Sequence, residues 1–137
     1  MSLLRAIGPD GRLLSFERRE EFAAIARANA TAFFGDEVFD VVVAGDDVAN
    51  AKPHPEPYLT AAARLGVSIH DCVAIEDSEF GLVSAVAAGA ATVGVPCHVT
   101  LHEAPTHELW PSLAGRGVDD LGAALLRHRH RATGAAV

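Results

Sequence analysis

The order of short apolar runs along the chain constrains its fold more than any other feature of the sequence. Three runs of β-branched and small apolar residues end in glycine, an acid or proline, at residues 38–45, 71–77 and 90–96. A shorter run at 12–15 is a fourth candidate strand. Helical stretches lie between these runs, and this alternation favours right-handed crossovers between parallel strands. We therefore predict an α/β fold, an open parallel sheet with helices on both faces.

The helical stretches carry recognisable start and stop signals. They cover residues 17–34, 55–66 and 79–89, and the last two end in Gly66 and Gly89, which we predict to be C-caps. Residues 98–117 are predicted to form an irregular connection before a last helix over 119–127. In the second helix, the 3.6-residue period places one set of apolar side chains on the buried face. These are Tyr58, Leu59, Ala62 and Leu65.

Composition limits the classes of function that the chain can have. The 137 residues suit one domain, residues 1–137, and a net charge of −7 argues against binding to nucleic acid. No apolar run approaches the roughly 20 residues of a membrane span, and no basic leader is present, so we expect a soluble, cytoplasmic protein. Cys72 and Cys97 lack a Cys-x-x-Cys spacing and are predicted to be buried thiols.

Polar residues follow the predicted strands at the edge where such sheets bind ligands. Ser15 ends the first candidate strand, Lys52 follows the second, and the adjacent acids Glu76 and Asp77 end the third. Two neighbouring carboxylates repel each other unless a cation lies between them. A hydroxyl, an ammonium and two carboxylates are suited to hold a phosphate group and Mg²⁺. Ser78 is placed to cap the next helix.

Two segments around these residues resemble a known family. "DVVVAGDDVANAKPHPEPYLTAAARLGV" and "DCVAIEDSEFGLVSAVAAGAATVGVP" are similar to the C-terminal part of the core domain of haloacid dehalogenase-like hydrolases, in particular the β-phosphoglucomutase and phosphoglycolate phosphatase-like branch. The resemblance implies a Rossmann-like core, here incomplete, and a small phosphorylated metabolite as substrate. It implies that Lys52 is catalytic and binds phosphate, that Glu76 and Asp77 hold Mg²⁺, and that Ser15 is the phosphate-binding hydroxyl.

The sequence departs from the family pattern at the nucleophile. Members of the family attack phosphate with the first aspartate of an Asp-x-Asp-Gly-Thr motif, and no Asp-x-Asp occurs in these 137 residues. Asp10 and Gly11 are a weak echo that we interpret as part of the loop before the strand at 12–15. We therefore expect that the first strand and the helical cap are missing, as in a truncated chain. Losing a central strand leaves open sheet edges, which would allow a homodimer.

Two functions remain open from the sequence. The first is a Mg²⁺-dependent phosphohydrolase of the phosphatase or phosphomutase type, truncated and weakly active by itself. The alternative is a non-catalytic phosphate- or metal-binding remnant that acts through association. A receiver-like signalling domain fits less well, because its acids follow the first strand and its lysine follows the last.

Several other polar residues are given structural interpretations. Asp46 and Asp47 are expected in a polar turn. The basic run at 127–131 is expected to end a helix. Trp110 is predicted to anchor the long connection to the core. Three histidines in that connection are predicted to face solvent instead of binding a metal. They are His98, His102 and His107.

Overall fold

A computed structural model describes residues 47–96, 101 and 105–134, together with the backbone of 2–6, 13–17 and 41–44. Within these ranges six strands form one sheet in the order β3-β2-β1-β4-β5-β6. The strands are β1 (Ser2–Ala6), β2 (Leu13–Glu17), β3 (Val41–Ala44), β4 (Cys72–Glu76), β5 (Ala91–Gly94) and β6 (Glu108–Leu109). The predicted strands at 12–15, 38–45, 71–77 and 90–96 are thus present, with shifted ends.

The sheet is parallel except at β1. The pairs β2–β3, β4–β5 and β5–β6 are parallel, whereas β1 runs antiparallel to both β2 and β4. The predicted α/β class is confirmed. The prediction that all strands are parallel is wrong at β1. Only six residues, 7–12, connect β1 to β2, and parallel strands need a crossover of a dozen residues or more. An antiparallel pairing is the arrangement that so short a connection allows.

The position of β1 corrects the expectation of a gap in the centre of the sheet. We predicted open strand edges there, but β1 lies between β4 and β2 and pairs with both. Its presence satisfies backbone groups of two strands that would otherwise be unpaired. Asp10 and Gly11 lie outside the described residues. A homodimer through a sheet edge remains a prediction; within the described residues the outermost strands are β3 and β6.

Three α-helices of the described residues cover the sheet. They are α1 (Glu56–Leu65), α2 (Glu79–Ala88) and α3 (Val118–Gly134). Gly66 and Gly89 end the first two helices in left-handed conformation, at φ 69° and 99°, which confirms both predicted C-caps. The Ser78 side chain caps α2, also as predicted. The predicted helix at 17–34 lies outside the described residues, apart from Glu17, which ends β2.

Side chains of β4 alternate between two cores, one on each face of the sheet. Cys72 and Ala74 pack with α1 and α2, whereas Val73 and Ile75 pack with α3. Helices on both faces are thereby confirmed. Leu59 was wrongly assigned to the buried face of α1, because the residue is 44 % exposed and Ala61 is buried instead. The alternation directs Glu76, the next even-numbered residue, toward α1 and α2.

The described part of the connection predicted at 98–117, residue 101 and residues 105–117, is more regular than expected. It contains β6, and His107 lies between β5 and α3: its Nδ1 accepts a hydrogen bond from the Thr92 N–H at 2.9 Å, and its ring lies 4.0 Å from that of His128. The prediction that His107 faces solvent is therefore wrong, while His98 and His102 lie outside the described residues. Trp110 is buried in the core beneath α3, as predicted.

Two further predictions concern a thiol and a basic run. Cys72 is a buried free thiol, as expected, and Cys97 lies outside the described residues. The basic run at 127–131 lies in the C-terminal half of α3, which continues to Gly134, and Arg131 is in its last turn, in agreement with the prediction. Among the described helices, none combines the length and the apolar character that crossing a membrane requires.

Candidate functional site

The site forms around Glu76, the last residue of β4. Its carboxylate is buried, with the residue only 1 % exposed. Oε1 accepts hydrogen bonds from Lys52 Nζ at 2.6 Å and from the Tyr58 hydroxyl, and Oε2 accepts one from Ser78 Oγ at 3.2 Å. A buried charge is costly unless it is paired and hydrogen-bonded, and here one cation and two hydroxyls meet that requirement.

Gly81, in the first turn of α2, makes room for this carboxylate. A Cβ atom at position 81 would overlap both oxygens and Cδ of Glu76. The Gly81 N–H also donates to Ser78 Oγ at 3.2 Å, so the same turn supplies the serine and the space. The N-terminus of α2 therefore fixes one side of the Glu76 carboxylate.

The loop that carries Lys52 is held at both ends. Before the lysine, the Glu56 carboxylate accepts hydrogen bonds from the backbone N–H groups of Ala49 and Asn50, at 2.8 and 3.0 Å. These bonds, together with one from the Asn50 side chain, hold the pKa of Glu56 below its usual value. After the lysine, the buried Ser84 hydroxyl on α2 donates to the His54 carbonyl at 2.6 Å.

Lys52 lies between the buried carboxylate and the surface. Its side chain is 23 % exposed, whereas that of Glu76 is fully buried. The ammonium also lies 5.4 Å from the centre of the Tyr58 ring, within the range of a cation–π contact. The ammonium is thus held by protein groups, while part of the lysine side chain remains exposed.

The structure brings together some of the predicted site residues. Lys52 and Glu76 are in contact, and Asp77 follows Glu76 directly and is half-buried at the same end of β4. Ser15 differs from its expected position. We placed it beyond the end of a strand, but β2 continues to Glu17, and Ser15 is level with Leu3 and Ile75, one residue short of Glu76. The phosphate-binding role of Ser15 remains a prediction.

Two other residues were interpreted only in structural terms. Asp47 forms an exposed ion pair with Arg64 at 3.2 Å, in agreement with a polar turn, and Asp46 lies outside the described residues. Tyr58 was predicted only as part of an apolar face, yet its hydroxyl contacts Glu76. A buried tyrosine needs a partner for its hydroxyl, and this was the available signal that a polar group lies opposite α1.

The acids suit Mg²⁺ in kind, although the described residues do not form a complete cage. They contain no group of three or more His, Cys, Asp or Glu side chains placed to hold a metal ion. Mg²⁺ is usually held by one or two carboxylates, with waters and substrate phosphate oxygens completing its shell. Asp77 is half-buried whereas Glu76 is buried, so Asp77 is the more accessible of the two acids for direct contact with a metal.

Comparison with known proteins identifies the family. The family model described as haloacid dehalogenase-like hydrolase matches residues 23–95, which is more than half of the chain. The chain belongs to this family. The resemblance stated from the sequence is therefore confirmed for the segments that carry Lys52 and Glu76.

Relatives of this chain are similar to it over parts of their length. Protein CbbY of Rhodobacter capsulatus is 47 % identical over 82 residues, covering 60 % of this chain and 36 % of that protein. The phosphoglycolate phosphatase of Salmonella typhi is 47 % identical over 57 residues, covering 42 % and 23 %. The crystal structure of CbbY from Rhodobacter sphaeroides in complex with phosphate matches with a TM-score of 0.58 and 39 % identity, over 70 % of this chain and 45 % of that one. The chain thus spans less than half the length of these relatives.

Proposed function

We propose that this chain provides the lysine and acid residues of a Mg²⁺-dependent phosphohydrolase site, of the phosphatase or phosphomutase type. The observation that carries the proposal is the 2.6 Å contact between Lys52 Nζ and the buried Glu76 carboxylate at the carboxyl end of β4. Ligands bind at this end of the strands in open α/β sheets. Relatives named as phosphatases support the reaction class. In this proposal the substrate is a small phosphorylated metabolite in the cytoplasm.

Each residue has a defined task in the proposed site. The Lys52 ammonium attracts and neutralises phosphoryl oxygens, and Glu76 keeps that ammonium at the edge of the sheet. Asp77, with Glu76, would hold Mg²⁺, which when bound neutralises negative charge on the phosphoryl group. Ser15 would donate a hydrogen bond to phosphate. Together these groups position and neutralise a phosphate ester without themselves attacking it.

The nucleophile separates this proposal from its alternative. Covalent phosphoryl transfer in this family uses the first aspartate of Asp-x-Asp, and none of the 137 residues forms that motif. Turnover by this chain alone is therefore expected to be slow. The same observation favours the alternative, a non-catalytic module that binds phosphate or metal and acts through association with a partner or a second copy.

Phosphatase activity and phosphate binding can be measured on the same samples. We expect slow, Mg²⁺-dependent release of p-nitrophenol from its phosphate ester, lost in Lys52→Ala and no longer stimulated by Mg²⁺ in Asp77→Asn. Arg127→Ala is the matched control, because Arg127 is also an ion-paired cation but lies on α3, which covers the opposite face of the sheet. Binding of inorganic phosphate without turnover would select the alternative. Absence of turnover, of phosphate binding and of Mg²⁺ binding would reject both functions.

A further inference from the structure

Tyr58 makes a polar contact that its burial alone does not require. The residue is fully buried in the core beneath α1 and α2. Its hydroxyl donates to Glu76 Oε1, the same oxygen that accepts from Lys52 Nζ. A hydroxyl in this core would be equally satisfied by a backbone carbonyl. Its partner is instead the carboxylate that holds the proposed phosphate-binding lysine.

We propose that Tyr58 is a positioning residue, which fixes the Glu76 carboxylate so that the Lys52 ammonium stays at the edge of the sheet. The inference rests on the proposed function for its purpose, but the positioning itself is a property of the protein without any ligand. Tyr58 touches neither substrate nor metal in this proposal. It acts through Glu76.

The surroundings of the carboxylate explain why one more donor matters. Ser78 holds Oε2, and a Cβ atom at Gly81 would overlap the carboxylate, so the backbone of α2 approaches it closely on that side. On the Oε1 side, Lys52 is a long, flexible side chain that arrives from a loop, so it cannot by itself define the orientation of the carboxylate. Tyr58 has a rigid ring in a packed helix and can do so. The ring also lies under the ammonium, 5.4 Å from Nζ.

The composition of the chain makes this arrangement directly measurable. Lys52 is the only lysine, so labelling with ¹³Cε-lysine gives a single lysine signal. The rate at which an acetylating reagent modifies this amine can be followed by peptide mass spectrometry. This rate rises with the fraction of molecules in which the amine is released from Glu76. We expect Tyr58→Phe to raise that rate by roughly two- to tenfold, the range that one intramolecular hydrogen bond contributes, and to shift the lysine ¹³Cε signal.

A matched control separates positioning from a general loss of stability. Thr92→Val also removes a buried hydroxyl, one that donates to the Ala90 carbonyl at 3.1 Å on β5. This variant should leave both lysine readouts unchanged. Both variants, Thr92→Val and Tyr58→Phe, are compared at the same number of degrees below their melting temperatures. If they raise the acetylation rate of Lys52 equally, Tyr58 has only a structural role and the proposal is overturned.

A second pair of variants tests whether Tyr58 acts through Glu76. Glu76→Gln removes the charge that attracts Lys52, and we expect it to raise the modification rate more than Tyr58→Phe does. Adding Tyr58→Phe to Glu76→Gln should then change the rate little, because the group through which Tyr58 acts is already altered. Fully additive effects would contradict the proposal.

An unnatural tyrosine keeps the test available if Tyr58→Phe does not fold. Tyr58 is the only tyrosine in the chain, so growth on 3-fluorotyrosine changes this position alone. Fluorination makes the phenol a stronger hydrogen-bond donor, and we expect slower modification of Lys52. Unchanged or faster modification would overturn the proposal.

Phosphate binding distinguishes this inference from the proposed function. If Tyr58→Phe frees Lys52 while the wild-type chain binds no inorganic phosphate, Tyr58 positions the lysine but the proposed function fails. If the wild-type chain binds phosphate and Tyr58→Phe alters neither the lysine readouts nor the phosphate affinity, the proposed function stands and the positioning role is rejected.

Discussion

Two glutamates, one on each face of the sheet, show what burial does to the same kind of ion pair. Glu76 and Lys52 meet at 2.6 Å, with side-chain exposures of 0 % and 23 %. Glu108 and Arg127 also meet at 2.6 Å, but their exposures are 15 % and 52 %. Water can replace the partner of Glu108 far more easily than that of Glu76. The first pair therefore constrains the structure, whereas the second contributes little to it.

The donors around each glutamate support this contrast. Glu108 is shared between Arg127 and Arg131, and it also accepts from Trp110 Nε1 at 3.0 Å. The hydrogen bond from Arg127 is the main cause that holds the pKa of Glu108 below its usual value, and the same bond raises the pKa of Arg127. Glu108 thus has a second cation nearby, while the only cation that contacts Glu76 among its described hydrogen bonds and ion pairs is Lys52.

Removal of the Lys52 cation should destabilise the fold more than any other change considered. Lys52→Met leaves the Glu76 carboxylate buried with two hydroxyl donors and no cation, so we expect the free energy of unfolding to fall by about 3 kcal/mol. Urea denaturation of the variant and the wild-type chain measures this loss.

The control for this prediction removes the charge as well as its partner. In Lys52→Met/Glu76→Gln the buried group is neutral, and most of the lost stability should return. A double variant no more stable than Lys52→Met alone would show that Lys52 stabilises the fold by something other than its charge.

Gly81 tests how tightly the buried carboxylate is held. Gly81→Ala places a methyl group where the Glu76 carboxylate lies, so either the helix or the carboxylate must shift. We expect a loss of about 2 kcal/mol, typical of forcing an extra carbon into a packed site, and faster acetylation of Lys52 in the same variant. Thermal or urea unfolding gives the first value, and peptide mapping gives the second.

Another glycine provides the comparison for Gly81. A Cβ atom at Gly134, in the last turn of α3, would meet nothing within 4 Å. Gly134→Ala should therefore leave both the stability and the lysine unchanged, or stabilise the helix slightly. Equal behaviour of the two variants would mean that the carboxylate moves aside freely.

Acid should lower the free energy of unfolding through His107, which lies next to Glu108 and between β5 and α3. Burial is the main cause that lowers the pKa of His107 to about 4, and His128 and Arg131 lower it further. The unfolded chain, with a histidine pKa near 6.5, binds a proton more readily than the folded chain. Stability is therefore fully present above about pH 6.5 and is lost as the pH falls toward 4, by about 1 kcal/mol once partial exposure is allowed for.

His107→Asn removes the titration but retains an acceptor for the Thr92 N–H. Stability measured from pH 7 to pH 4 should fall less steeply in this variant than in the wild-type chain. Parallel curves would assign the acid sensitivity to other groups, of which His128 is the first to examine, because burial and Arg131 lower its pKa as well.

Local patterns predicted the strands and helix caps because the residues that specify them are adjacent in sequence. Gly66 and Gly89 are cases in which one residue type fits one backbone conformation. The meeting of Lys52 and Glu76 followed from a general rule, since the carboxyl ends of parallel strands share one edge. That rule predicts that both residues lie at the same edge of the sheet, but it does not predict the distance between Lys52 Nζ and the Glu76 carboxylate.

The features that were missed depend on residues far apart in the chain. The place of β1 depends on which backbone edges of β2 and β4 are open, which no stretch of residues 1–6 reveals. The burial of His107 depends on α3, about 20 residues later, and the partner of the Tyr58 hydroxyl depends on where β4 ends. Sequence periodicity identifies buried faces but does not identify which polar atom meets which.

Arg127 allows the same kind of substitution in the more exposed ion pair. Arg127→Met removes one of two arginines beside a partly exposed glutamate, so we expect only a small loss of stability at low salt, well below that of Lys52→Met. In 1 M NaCl, where the screening length is about 3 Å, that loss should disappear. The cost of Lys52→Met should persist in the same salt, because ions do not enter the core around Glu76. If salt reduced the two losses of stability equally, burial would not distinguish the two ion pairs. The inference that the buried Glu76 carboxylate holds Lys52 in place would then be wrong.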